Sequence, residues 1–142
     1  MAEELGTVVI LDVPYEQAVA QVTEALKAQG FGVLTRIDVQ ATLKEKLGED
    51  FRPYVILGAC NPPLAHRALN AEPVIGALLP CNVTVEQAEV GSRIVLVNPL
   101  AMLGVGALAG NDEVLAVARE AATRLEAVAA ALRGVSEPSN AD

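Results

Sequence analysis

Two patterns of apolar and polar positions occur in the first third of the chain. One is typical of buried strands and the other of amphipathic helices. Residues 7–12 are rich in β-branched side chains and predict a strand. The apolar residues that follow recur at helical spacing, and the helix they predict ends at Gly30. Residues 31–37 predict a second strand that returns across this helix. Asp38 is placed to cap a second helix, which Gly48 ends.

The middle of the chain predicts three further strands around a short helix. Residues 54–57 are continuously apolar, as expected of an interior strand. Asn61 and Pro62 mark a helix start, with Asn as the N-cap and Pro in the first helical position. Residues 81–87 and 93–97 predict two strands joined by a turn.

The last third combines an apolar, glycine-rich connector at residues 99–110 with one long helix capped by Asn111. The helix carries an uninterrupted apolar stripe. Its members are Val114, Val117, Ala118, Ala121, Leu125, Val128, Ala129 and Leu132.

The predicted order is β-α-β-α-β-α-β-β-α, which is not the strict alternation of a parallel sheet. It indicates an α+β two-layer sandwich, in which about five strands form a mixed or largely antiparallel sheet with helices on one face. Residues 1–133 are predicted to form a single domain, and residues 134–142 a flexible C-terminal tail.

Composition narrows the class of partner. Of 142 residues, 52% are hydrophobic, so one core can form without a metal or a disulfide. The net charge of −8 disfavours nucleic acid and membrane surfaces as partners. No signal peptide is recognisable, which predicts a cytoplasmic protein whose two cysteines are free thiols.

The candidate chemistry lies where a strand runs into a helix. Cys60 precedes the predicted N-cap, where the helix dipole and unsatisfied N–H groups would lower the pKa of its thiol. Cys81 opens the next strand, so the two sulfurs share one sheet edge if these strands are antiparallel neighbours. His66, the only histidine, lies about one turn into the helix. The alternative is that both cysteines fill the core and His66 faces solvent.

Other motifs are weak. Gly104, Gly106 and Gly110 approach a dinucleotide fingerprint but are spaced one residue too long, and no strand follows the helix. They are better explained as a close-packed connector. The cysteine spacing is no zinc signature, no metal is predicted, and no catalytic motif is found. An enzyme would need distant residues to converge, for which the candidates are Asp38, Arg52, His66 and Asn82.

Two sequence blocks resemble a known family. FRPYVILGACNP at residues 51–62 and LLPCNV at residues 78–83 closely resemble the bacterial and archaeal family known as domain of unknown function 302. GFGVL at residues 30–34 and Asn98-Pro99 are similar to its flanking blocks. The resemblance implies a two-layer fold with a curved, largely antiparallel sheet, similar in outline to TATA-box-binding-protein-like folds. It implies no activity, so no catalytic residue or cofactor is carried over.

Two functional hypotheses remain. In the first, the chain self-associates as a homodimer or binds a small ligand, and the connector, the last helix and any uncovered sheet face are the candidate dimer surfaces. In the second, it is a thiol-based redox or soft-metal-binding protein that uses Cys60 and Cys81. The candidate binding residues lie in and next to the two cysteine blocks. The candidates are Cys60, Asn61, Pro62, His66, Cys81 and Asn82.

Overall fold

The computed structural model describes residues 2–136, which form five strands and six α-helices. The strands are β1 Gly6–Leu11, β2 Gly32–Asp38, β3 Tyr54–Cys60, β4 Cys81–Gln87 and β5 Ser92–Val97. The helices are α1 Ala2–Leu5, α2 Tyr15–Ala28, α3 Val39–Leu47, α4 Pro62–Ala71, α5 Pro99–Leu103 and α6 Asp112–Ser136. Short 3₁₀ helices occupy Pro73–Leu78 and Gly106–Gly110.

Local signals fix the helix ends as the sequence predicts. Gly30 has a φ of +85°. Its N–H and that of Phe31 donate to the last carbonyls of α2, which is the hydrogen-bond pattern of a Schellman motif. The Asp38 side chain accepts from the N–H of Ala41 at 2.9 Å and caps α3. These turns determine where the strands begin and end.

All strand pairs of the sheet are antiparallel, in the order β1-β5-β4-β3-β2. The predicted α+β class and five-stranded, curved sheet are therefore confirmed. The second strand does not return beside the first, however. β2 pairs with β3, so β1 and β2 form opposite edges of the sheet.

One face of the sheet is covered by α2 and α6, and the core lies between these helices and the sheet. Alternate residues of the strands, such as Val83 and Val85 of β4, point into it and are fully buried. A second apolar cluster lies beyond the end of the sheet, where α4, α5 and the first half of α6 pack together. It is built from Leu64, Ala68, Ile75, Leu103, Val114, Val117, Ala118 and Ala121.

Of the helices within residues 2–136, none buries the other face of the sheet. A row of side chains crosses this open face from edge to edge through the registered strand pairs. The row comprises Val8, Val95, Thr84, Ile56 and Ile37, none of which is buried.

The predicted stripe of α6 is buried along its whole length and belongs to the two clusters. That stripe is therefore core and not a dimer surface. The helix runs to Ser136, past the predicted domain end at residue 133; residues 137–142 of the predicted tail lie outside the described residues. Within residues 2–136, no helix combines the length and the apolarity that crossing a membrane requires.

Candidate functional site

The two cysteines lie at the same end of the sheet. Cys60 is the last residue of β3 and Cys81 the first of β4. The two strands are antiparallel neighbours, and Ala59 is directly opposite Cys81. The sequence predicts that the two thiols lie together only if these strands are antiparallel neighbours. That condition is met, and both thiols lie at one end of the sheet.

A pocket of about 260 Å³ opens beside these thiols, between the end of the sheet and the second apolar cluster. Its walls are almost entirely hydrocarbon. They are formed by Phe31, Leu34, Ala59, Cys60, Asn61, Leu64, Ala65, Ala68, Leu69, Leu79, Pro80, Cys81, Leu103, Val117 and Ala121. Leu34 and Leu69 of this lining are 68% and 39% exposed, so the pocket is open to solvent.

Asn61 is the one polar amide in this lining, and it is only 7% exposed. Its Oδ1 accepts from the N–H of Leu64 at 3.3 Å, which makes it the N-cap of α4. Because that N–H requires an acceptor, the amide nitrogen Nδ2 faces the other way. It lies on the side of Gly30, where an added Cβ would be 2.9 Å from it.

Burial raises the pKa of both thiols. The pKa of Cys60 is above its ordinary value, and that of Cys81 is raised to about 11 by burial and by the neighbouring Cys60. The predicted lowering of the Cys60 pKa is therefore wrong. That prediction assumed unsatisfied N–H groups at the start of α4. There are none, because Pro62 and Pro63 have no N–H and the next two N–H groups are bonded to Asn61. Both cysteines are neutral thiols at physiological pH.

The structure brings together only three of the six candidate residues. Cys60, Asn61 and Cys81 line the pocket, whereas the other three lie outside it. His66 is exposed on α4, with Nε2 3.1 Å from Nδ2 of Asn70. Pro62 is exposed at the first turn of α4, and Asn82 is exposed on the open face of the sheet, opposite Gly58.

An ion-pair network holds two walls of the pocket together. Arg67 of α4 contacts Glu113 at 2.8 Å and Glu120 at 3.3 Å, both on α6. Glu120 also pairs with Arg124 at 3.2 Å. Arg124 donates to the carbonyl of Gln29 and thereby joins α6 to the loop before β2. Each exposed pair contributes at most about 1 kcal/mol, so the network positions the walls more than it stabilises them.

Metal and enzyme hypotheses gain no support. Across residues 2–136, no three His, Cys, Asp or Glu side chains are grouped so that they could hold a metal ion. The four distant residues considered for an enzyme do not converge either. Asp38 is registered with Val55 near the start of β3, whereas Asn82 is opposite Gly58 near its end.

Most of the pocket lining could not be recognised from sequence. Phe31, Ala65 and Leu103 are ordinary apolar residues in three separate elements, and no motif distinguishes them from core. A signal did exist at Asn61-Pro62-Pro63. It predicted the helix start, and it also implied that this helix has no free N–H groups to offer a thiolate.

Fold and site define the class of protein: a small α+β domain that has an open antiparallel sheet and an apolar pocket at one sheet end. The chain belongs to the family described as Domain of unknown function DUF302, which it matches over residues 7–132. It is similar to the crystal structure of the uncharacterized conserved protein DUF302 from Bacillus stearothermophilus, with a TM-score of 0.79 and 31% identity over 89% of this chain and 96% of that chain. No curated protein matches it. The function of this family is given as unknown.

Proposed function

We propose that this chain binds a small apolar molecule in the pocket beside Cys60 and Cys81. The observation that supports this is the pocket itself, about 260 Å³ of hydrocarbon-lined space that opens to solvent. An apolar cavity of about 150 Å³ in another protein stays dry and takes up benzene, so this volume suits a ligand of one or two rings or a short chain. Neutral thiols add to the apolar lining.

A pocket-filling substitution tests this proposal. Ala65 is half-buried in α4 and lines the pocket, so Ala65→Leu places extra carbon atoms in the ligand's space. We expect the wild-type chain to bind the uncharged two-ring fluorophore 1-naphthylamine saturably and Ala65→Leu to bind it at least about fivefold more weakly, because each lost methylene contact is worth about 0.8 kcal/mol and leucine displaces more than one. Fluorescence titration measures both affinities.

The matched control is Ala41→Leu, the same exchange at an exposed position of α3 away from the pocket. It should bind the fluorophore as the wild type does. The proposal is wrong if the wild type shows no saturable binding, or if both variants lose affinity equally.

We also propose that the chain forms a homodimer, and that the open sheet face is the contact. Of the three surfaces considered from sequence, the stripe of α6 is core, and the connector is partly buried through Pro99 and Leu103. The uncharged row of side chains on the open face is accessible. Glu86 and Arg93 are directly opposite each other on β4 and β5, next to this row. A two-fold axis can place such a face against itself.

A charge placed in the middle of that row tests the dimer. Thr84 lies on the central strand β4, and Thr84→Glu would bury two like charges against each other in the dimer. We expect light scattering at micromolar concentration to give twice the 14.8 kDa chain mass for the wild type and a single chain mass for the variant. Gln17→Glu, on an exposed position of α2, adds the same charge and should stay dimeric. A monomeric wild type would contradict the proposal.

We further propose a cytoplasmic location. Two free cysteines that line the same pocket without forming a disulfide are typical of a reducing compartment.

A further inference from the structure

We infer that ligand binding in the pocket and pairing of two chains through the open sheet face strengthen each other. This inference rests on both parts of the proposed function and deepens them, because it makes dimer formation a regulator of the pocket. Its basis is that the pocket and the open face share part of their surface.

Pro80 belongs to both surfaces. Its side chain lines the pocket. The Cβ that Gly58 lacks would point towards the open face and would lie 2.7 Å from Cγ of Pro80, so the same ring covers the open face at Gly58. The ring of Pro80 is therefore a wall between the ligand's space and the surface that a partner chain would cover.

The exposed rim of the pocket lies at the same end of this face. Leu34 lines the pocket and is 68% exposed, and the next residue, Thr35, is opposite Gly58 on the open face. Cys60 also lines the pocket and follows Gly58 by two positions, which places both on the same side of β3. Gly32, opposite Cys60, leaves open space there, since an added Cβ would meet nothing within 4 Å. The rim of the pocket and the end of the open face are thus continuous.

The sheet is small in comparison with the contact that a stable dimer needs. Its five strands, about 4.8 Å apart and about 22 Å long, present roughly 500 Å² in outline. A stable interface buries about 800 Å² of accessible surface on each partner. Even with the relief of the side chains, a contact of that size uses the whole face. A partner that pairs through the open face therefore extends over the rim of the pocket.

The sign of the coupling follows from the lining. An empty pocket presents the partner with a hydrocarbon-lined hole of about 260 Å³, whereas a bound ligand fills this hole and adds its own apolar surface to the contact. A ligand whose remaining exposed surface is covered in the dimer is bound more tightly there. Linkage then requires that the ligand strengthen the dimer by the same factor at each pocket.

The test compares the affinity of 1-naphthylamine for the dimeric and the monomeric chain, by fluorescence titration at micromolar protein concentration. Thr84→Glu, the variant that removes the dimer, changes a residue outside the pocket lining. We expect it to bind 1-naphthylamine about fivefold more weakly than the wild type, the lower end of the usual range for coupled sites. Gln17→Glu, which stays dimeric, should bind as the wild type does.

The reciprocal measurement follows the dimer itself. Because the dimer has two pockets, saturating 1-naphthylamine should lower its dissociation constant about 25-fold, the square of the effect at one pocket. Sedimentation of a dilution series measures this constant. Ala65→Leu, whose pocket is partly filled, should show a smaller shift at the same ligand concentration. Dilution of the wild type into its monomeric range should lower its ligand affinity to that of Thr84→Glu, which excludes a local effect of the new carboxylate.

Three failures can be told apart. If the wild type is a dimer and binds 1-naphthylamine no more tightly than Thr84→Glu does, both proposals stand and the coupling is wrong. If the wild type shows no saturable binding, the ligand proposal fails and the coupling fails with it. If the wild type is monomeric with and without the ligand, the dimer proposal fails and the coupling fails with that.

Discussion

Replacing Gly58 by alanine is expected to destabilise the fold by about 3 kcal/mol, the upper range for overpacking a well-filled site. Gly58 is buried in β3 although it points towards the open face, because Thr35 and Pro80 close over it. An added Cβ would overlap Oγ1 of Thr35 and lie 2.7 Å from Cγ of Pro80, far inside ordinary contact distance. Urea unfolding measured by circular dichroism gives the free energy of unfolding of both proteins.

Gly32→Ala is the matched control for this prediction. Gly32 lies in the neighbouring strand β2, opposite Cys60, and an added Cβ there would meet nothing within 4 Å. It should change stability by less than about 1 kcal/mol. Placing Gly58→Ala in a Thr35→Ala background should recover part of the loss, because the nearest overlapping atom is then gone. Equal losses at Gly58 and Gly32 would show that close approach is not the reason for glycine at residue 58.

Local elements of this fold were predictable because each has its cause within a few residues. Asp38 caps α3 and Gly30 ends α2 through hydrogen bonds that span less than two helical turns. The alternation in residues 81–87 marks which side of β4 is buried, and Val83 and Val85 are fully buried.

Strand order was not predictable in the same way. Nothing within residues 31–37 distinguishes pairing with β1 from pairing with β3, since an edge strand has the same alternation in either place. The exposure of β2, whose Leu34 is 68% exposed, follows from its position at the edge and from no local signal. The placement of Cys60 and Cys81 at one end of the sheet depended on that order too, so sequence could only state it as a condition.

The stripe of α6 shows a different ambiguity. An apolar helix face predicts burial but does not say against what, because a partner subunit and the chain's own sheet require the same pattern. Here the second half of the stripe packs on the sheet and the first half on α4 and α5. The pocket arises where these two clusters adjoin, a property of the assembled chain that no single element carries.

Cys81 is expected to react with iodoacetamide at pH 7.5 at least about 100-fold more slowly than a cysteine with the ordinary pKa near 9. The pKa of Cys81 is about 11, and the two-unit difference lowers the reactive thiolate fraction about 100-fold before any effect of access. Because the raised pKa favours the protonated thiol, the rate should rise about tenfold per pH unit between pH 7.5 and 9. Mass spectrometry of Cys60→Ser, in which Cys81 is the only thiol, measures it.

Cys81→Ser is the companion variant, since it leaves only the half-buried Cys60. Its labelling should be slower than that of the unfolded chain, because burial also raises the pKa of Cys60, but faster than that of Cys81. In urea both variants should react at the same rate as a short cysteine peptide. Native labelling of Cys81 within about threefold of that peptide would mean that the thiolate is stabilised after all, and would restore the redox hypothesis. Slow labelling that urea removes leaves the two thiols as neutral walls of an apolar pocket.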